Sequence, residues 1–340
     1  MIKKISLLFL LILILFGAWA SLKILAGGTA FKGSRYFLYV KTGSNFDNLM
    51  ETIRKDGVLE SPGVFKLAAE RLSVPQKLTA GKYEIKRGTS VLNTIRMLRN
   101  GRQSPVNLVI TRLRTKNDFA RFAGNQLECD SAAIMDFFNN PDSMHRFGLD
   151  NYTAMTVIIP NTYTMYWNTT PSKLFRKLHE EEQKFWNKDR LVKAARLELS
   201  PVQAYTLASI IEEETNKYDE MPLIASVYLN RLKKGMRLGA DPTVKFASGD
   251  FAARRVTFRM IDESSESPYN TYKNPGLPPG PICTPSIETI DAVLSATDTD
   301  YLYFCAKPDF SGYHSFAATD AEHLKNARAY QRALDSLQIK

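Results

Sequence analysis

Ser200-Pro-Val-Gln-Ala-Tyr-Thr-Leu-Ala-Ser-Ile-Ile-Glu-Glu-Glu-Thr215 is the stretch on which the reading of this 340-residue chain turns. Ser200 is placed to cap a helix, Pro201 suits the first helical position, and Gln203 completes a capping box. Leu207, Ile210 and Ile211 form an apolar stripe, while Ala204, Ala208 and Ser209 are small enough for close packing. The helix then ends in three carboxylates, Glu212, Glu213 and Glu214. Negative charge at a helix C-terminus opposes the dipole, and burial beside the stripe opposes it further. At least one of the three is therefore expected to hold its proton more tightly than usual. Successive residues turn by about 100°, so Glu212 extends the line of Tyr205 and Ala208, and Glu214 extends that of Leu207, Ile210 and Ile211. The two cannot flank one substrate bond. The helix offers one main acid and one supporting acid, or else a solvated end.

Outward from this helix, the chain reads as α+β. Its length allows about two folded domains. The net charge of +10 admits nucleic acid, anionic lipid or an anionic polymer as partner. No basic region with interleaved base-stacking aromatics is present, which argues against nucleic acid. Lys3 and Lys4 precede an apolar run from Ile5 to Leu22 that continues through Ile24 and Leu25. This predicts a cytoplasmic N-terminus at 1–4 and a membrane span over 5–25, with the rest of the chain outside the cytoplasm. Ala18-Trp19-Ala20 also fits a signal-peptide cleavage site. The three cysteines, Cys129, Cys283 and Cys305, lack metal-ligand spacing, as do the four histidines. No metal or cofactor is expected.

Tyr36–Lys41 reads as a strand, Asn45–Lys55 and Ser61–Leu72 as helices, Lys82–Lys86 as a strand and Ser90–Arg99 as a helix. With Tyr39-Val-Lys-Thr-Gly-Ser44 leading into Phe46 and Leu49, this small α/β domain (36–105) resembles a lysin-motif module, which implies binding of N-acetyl sugars. The larger domain, 106–340, starts with a strand at Val106–Thr111. Val157–Ile159 reads as a short strand entering an aromatic-rich loop, Pro160–Tyr166. A second apolar helix begins at Pro222 and ends at Gly235. Ser286–Ala296 is a helix, Tyr301–Ala306 a strand, Gly312–Phe316 a loop and Asp320–Leu337 a terminal helix.

Ala208-Ser-Ile-Ile-Glu-Glu-Glu-Thr215 is followed in order by Ala225–Leu232, Gly235-Met-Arg-Leu238, Asp241-Pro-Thr-Val244, Tyr269-Asn-Thr-Tyr272, Gly276-Leu-Pro-Pro-Gly-Pro-Ile282 and Tyr301-Leu-Tyr-Phe304. These blocks, from about Ile159 onward, resemble the endolytic murein transglycosylases of bacteria. The resemblance implies a lyase that cuts nascent glycan strands between N-acetylmuramic acid (MurNAc) and N-acetylglucosamine (GlcNAc), leaves a 1,6-anhydro end and terminates elongation. It also implies a site at the outer face of the cytoplasmic (inner) membrane, beside the cell-wall synthases. By motif position the catalytic acid falls on Glu212, with Glu214 and Asp241 in support. Glu213 stands where other members often carry Lys. Tyr163, Tyr269, Asn270, Tyr272 and His314 are candidates to line the glycan groove, because they offer ring faces or polar groups on loops. Two other readings remain open: a hydrolase of the same bond using Glu212 and Asp241, and a non-catalytic peptidoglycan-binding scaffold.

Overall fold

The computed structural model describes residues 10–336, apart from 13, 14, 16, 20 and 23. Much of the expected span over 5–25, and Leu337 of the terminal helix, lie outside the described residues. Among the described residues no helix is long and apolar enough to cross a membrane. The chain forms two compact units. The strands β3 (Pro105–Val109) and β4 (Thr162–Tyr166) form a two-stranded sheet.

The first unit comprises residues up to Leu108 together with Gly124–Cys129 and Thr164–Thr170. Its frame is an antiparallel pair, β1 (Arg35–Val40) and β2 (Gly81–Lys86), in a register from Arg35 opposite Lys86 to Val40 opposite Gly81. Between them run α1 (Phe46–Lys55), α2 (Pro62–Arg71) and the single turn α3 (Val74–Lys77); α4 (Val91–Arg99) follows β2. The caps form as the sequence dictates: Asn45 closes a capping box with Asn48, and the Ser90 hydroxyl accepts from the Asn93 amide. Phe46, Leu49, Met50 and Ile53 of α1 meet Leu38, Val40, Tyr83 and Ile85 of the strands in one core with Phe65, Ile95 and Leu98. Period 3.6 and period 2 thus meet on one apolar surface.

The second unit comprises 109–123, 130–163 and 171–340. Before its centre come α5 (Lys116–Gly124), α6 (Ser131–Asn139), α7 (Pro141–His145), α8 (Pro171–Phe185) and α9 (Lys188–Arg196). The centre is α10 (Pro201–Glu214), followed by α11 (Met221–Lys233), α12 (Asp241–Ser248), α13 (Phe258–Glu263) and α14 (Ile287–Leu294). The hairpin β5 (Tyr303–Ala306) and β6 (His314–Ala317) and the helix α15 (Asp320–Ser336) complete it. Gly235, at φ 64°, follows the end of α11 in the left-handed region that a Cβ disfavours.

Two segments differ from the sequence reading, and a third had none. Val157 ends a 3₁₀ turn, Ala154–Val157, and the aromatic stretch after it is the strand: along β4 Tyr163 and Met165 are buried between exposed Thr162, Thr164 and Tyr166. That is period-2 alternation, which the density of aromatics concealed. Gly312–Phe316 is not wholly a loop, because His314–Ala317 finds a partner in β5. Asp241-Pro-Thr-Val244 opens α12, with Pro242 in the first turn and Gly249 at φ 73° after its end.

Candidate active site at the glutamate end of the central helix

The helix α10 starts as its sequence directs. The Gln203 amide donates to the Ser200 hydroxyl at 3.2 Å, and the Ser200 amide donates to Gln203 Oε1 at 2.9 Å. Every residue from Ala204 to Ile211 is buried, so the helix is sunk in the core rather than laid on it. Small side chains let neighbours close in. The Ser209 hydroxyl donates to the Thr206 carbonyl at 2.7 Å and accepts from the Ile282 amide at 3.0 Å, which fixes the Pro/Gly-rich turn to the helix. The hydroxyl of Tyr205 donates to the Ile158 carbonyl at 2.6 Å.

The three glutamates leave the helix in three directions, as the 100° rotation requires. Glu212 turns to the start of α14. Its Oε2 accepts from the Ser286 amide at 3.1 Å, the Ser286 hydroxyl at 2.9 Å and the Thr289 hydroxyl. A carboxylate at a helix N-terminus is favoured by the dipole and by unpaired amides there. Glu212 is therefore a tie between α10 and α14. Glu213 turns to the segment after β3, where Arg114 hydrogen-bonds it at 2.8 Å and Arg112 lies 3.5 Å away.

Glu214 turns to α11 and α12. Tyr228 donates its hydroxyl to Glu214 Oε1 at 2.5 Å. Burial raises the Glu214 pKa to about 7, and the charge of Asp241 adds to the rise; the Tyr228 hydrogen bond, Lys245 and Arg231 pull the other way. Asp241 is exposed at the start of α12 and accepts a 2.6 Å hydrogen bond from the Tyr272 hydroxyl. Burial first, and then Asp241, raises the Tyr272 pKa, so this hydroxyl stays a donor. Arg231 is anchored by the Leu302 and Leu238 carbonyls, each at 2.6 Å. Glu214, Asp241, Tyr272, Tyr228, Lys245 and Arg231 thus form one electrostatic neighbourhood: a half-buried proton-holding acid, an exposed carboxylate and a tyrosine donor.

The other candidates divide. Tyr163 is 3% exposed, with its hydroxyl bonded to the Ile159 carbonyl at 2.5 Å, and Asn270 is fully buried. Neither presents a face to an open groove, so the aromatic-loop expectation does not hold for their placement. Asn270 instead orders the loop: its amide donates to Ile261 O at 2.8 Å and Ser264 Oγ at 2.9 Å, and its carbonyl accepts from the Tyr272 amide at 3.0 Å. It holds Tyr272 in place. Tyr269 packs half-buried against Phe246, centroids 4.6 Å apart. His314 pairs with Glu220, Nδ1 to Oε1 2.6 Å, and Glu220 also takes the hydroxyl of Thr215 at 2.9 Å. That network fixes the chain just past Glu214. Among the described residues no His, Cys, Asp and Glu cluster could hold a metal ion.

Sequence reasoning missed Tyr228 and Lys245. Tyr228 read as one more apolar residue of its helix face. A signal existed, since a buried tyrosine hydroxyl needs a partner and an apolar helix offers none of its own.

The YceG-like family model matches residues 38–329. The endolytic murein transglycosylase of Bacillus subtilis (strain 168) is 46% identical over 125 residues, 37% of this chain and 33% of that protein. The protein of the same name from Streptococcus pneumoniae serotype 2 (strain D39) is 26% identical over 321 residues, 84% of this chain and 57% of that one. The chain thus spans about one third to just over half the length of these relatives. A crystal structure of a putative yceG-like protein from Listeria monocytogenes is 26% identical and superposes with a TM-score of 0.56, covering 86% of this chain and 98% of that one.

Proposed function

This chain belongs to the YceG-like family, and from that premise we propose that it is an endolytic murein transglycosylase with Glu214 as its acid and base. The observation that carries the reading is a carboxyl whose pKa stands at about 7 at the end of a buried helix, beside an exposed aspartate–tyrosine pair. A glycosidic oxygen is a poor leaving group and must receive a proton as its bond to C1 breaks. Glu214 supplies it. The C6 hydroxyl of the same muramyl residue then bonds to C1, and its proton passes to the Glu214 carboxylate. The acid is regenerated, no water is consumed and a 1,6-anhydro ring results. Because the nucleophile belongs to the substrate, proximity replaces the second carboxylate of ordinary glycosidases. Asp241 and Tyr272 bind and orient sugar hydroxyls beside the acid. Glu212 acts through the fold, which moves the acid two residues from the position the motif suggested.

Incubating linear uncrosslinked glycan with the protein and weighing the fragments tests this. Anhydro ends that vanish in Glu214→Gln support it. Reducing ends, heavier by one water, would mean a hydrolase, with Asp241 placed to hold that water. Uncut glycan would leave only a binding scaffold.

We further propose that the run over 5–25 anchors the chain in the cytoplasmic membrane, with the catalytic unit outside and beside the synthases whose strands it shortens. Lys3 and Lys4 ahead of the run support this orientation. A mature protein beginning at Ser21 would refute the anchor. The strand–helix–helix–strand frame of the first unit supports a lysin-motif-like role in holding the glycan.

A further inference from the structure

The chemistry above leaves one charged cluster beside the acid unused. Arg112 and Arg114, both on the extended segment after β3, clasp the single carboxylate of Glu213. Arg114 makes the hydrogen bond, and its guanidinium lies 4.9 Å over the Phe251 ring, which holds the fork flat. Arg112 stands 3.5 Å off and its side chain is 45% exposed. Glu213 Oε1, on the Arg112 side, is buried without a hydrogen-bond partner. An ion pair built only for the fold needs one guanidinium. Two leave a surplus positive charge with donors uncommitted, and Lys245 lines the same cavity of about 50 Å³ as Arg114 and Glu213. Lys245 also acts on Glu214, so this cationic cluster borders the acid. Arg112 also lines a cavity of about 320 Å³ with Thr111, Asn161, Thr162, Ser286 and Glu212, whose carboxylate is already engaged by Ser286 and Thr289.

We infer that Arg112 and Arg114 receive a carboxylate of the peptide stem carried by the muramyl residue whose bond is cut. The inference rests on the function proposed above. MurNAc differs from its neighbour by the lactyl ether on C3, and the stem is attached there. The bond to be cut leaves C1 of the same ring, so each cleavable residue brings its stem carboxylates to the side of the acid. Bidentate guanidinium–carboxylate pairing suits that task. The diphosphate at a strand's lipid end is also an anion, but it marks one end, whereas an internal cut needs an anchor at each repeat. Glu213 occupies the arginine fork in the free protein and gives up one guanidinium when a stem arrives.

The test is a titration of the full-length chain with the disaccharide GlcNAc–MurNAc bearing a peptide stem, against the same disaccharide without it. Neither contains a MurNAc–GlcNAc bond, so affinity is read without turnover. The stem should raise affinity. Arg112→Ala should weaken the peptide-bearing ligand about tenfold or more, with Arg112→Lys between it and the parent. Glu213→Gln should strengthen that ligand, because it removes the internal competitor. A stem that adds no affinity, an Arg112→Ala chain that keeps the gain, or a Glu213→Gln chain that loses it would each overturn the inference and leave a structural ion cluster. Stem-dependent binding by a chain that leaves long strands uncut would count against the catalytic reading alone.

Discussion

The helices α1 and α10 are built to opposite plans. Helix α1 shows four buried residues on one face, Phe46, Leu49, Met50 and Ile53, and keeps its acids and bases in water. Helix α10 is buried without a break from Ala204 to Ile211 and then delivers three carboxylates to its partly covered end. Helix α1 gains stability from those four buried side chains. The end of α10 accepts a penalty, because bringing Glu214 near pH 7 costs on the order of 3 kcal/mol of the charged form. A fold tolerates such an outlay where function requires it.

The contrast breaks most directly at Glu214. Glu214→Gln keeps the shape but cannot give a proton, so cleavage should fall by about 10²–10⁴ while the circular dichroism spectrum is preserved. Its stability should move the other way. Glu214 binds its proton more tightly folded than unfolded, so between about pH 4.5 and 7 wild-type stability declines as pH rises. The Gln variant lacks that decline and should melt higher than wild type at pH 8. Equal activity in the variant would end the case for Glu214.

In the first unit the reverse pattern is expected. Phe65 is fully buried, stacked on Phe46 with centroids 6.5 Å apart. Phe65→Ala should cost about 3–5 kcal/mol in a denaturant melt monitored within that unit. A loss under 1 kcal/mol would mean the unit's core is not the patterned one described.

Glu212→Gln sharpens the comparison inside α10 itself. It keeps an acceptor for Ser286 and Thr289 but removes the charge at the start of α14. Stability should fall by about 1 kcal/mol, and cleavage should fall less than tenfold. A Glu212→Gln chain as inactive as Glu214→Gln would restore the acid to the motif position.

These two helices also show what the sequence could carry. The capping box at Ser200, the helix starts at Asn45 and Ser90 and the buried faces of α1 and α10 were legible, because each depends on neighbours within a turn or on a simple period. The divergence of the three glutamates was legible too, from rotation alone. What each glutamate meets was not. Ser286, Arg114 and Tyr228 lie 74, 99 and 14 residues away, and only tertiary packing brings them in. Motif position therefore pointed to Glu212, while burial, which raises the pKa of Glu214, is what supports the proposed acid. The alternation in β4 was present in the letters but outweighed by the aromatics, and Asn270 looked like a ligand because polarity does not reveal burial.

The smallest effect is also the most specific. If Glu214 is the acid, activity should decline as pH rises through about 7, because the proton to be donated is lost. Two neighbours should move that limb in opposite directions. Asp241 raises the Glu214 pKa by its charge, so Asp241→Asn should shift the limb to lower pH. Tyr228 stabilises the carboxylate by donating to it, so Tyr228→Phe should shift the limb to higher pH. Each shift should be about one unit or less, read as the midpoint of kcat/KM against pH. A merely structural role for either residue would lower the plateau and leave the midpoint fixed. Shifts of the same sign in both variants would mean that the titrating group is not Glu214.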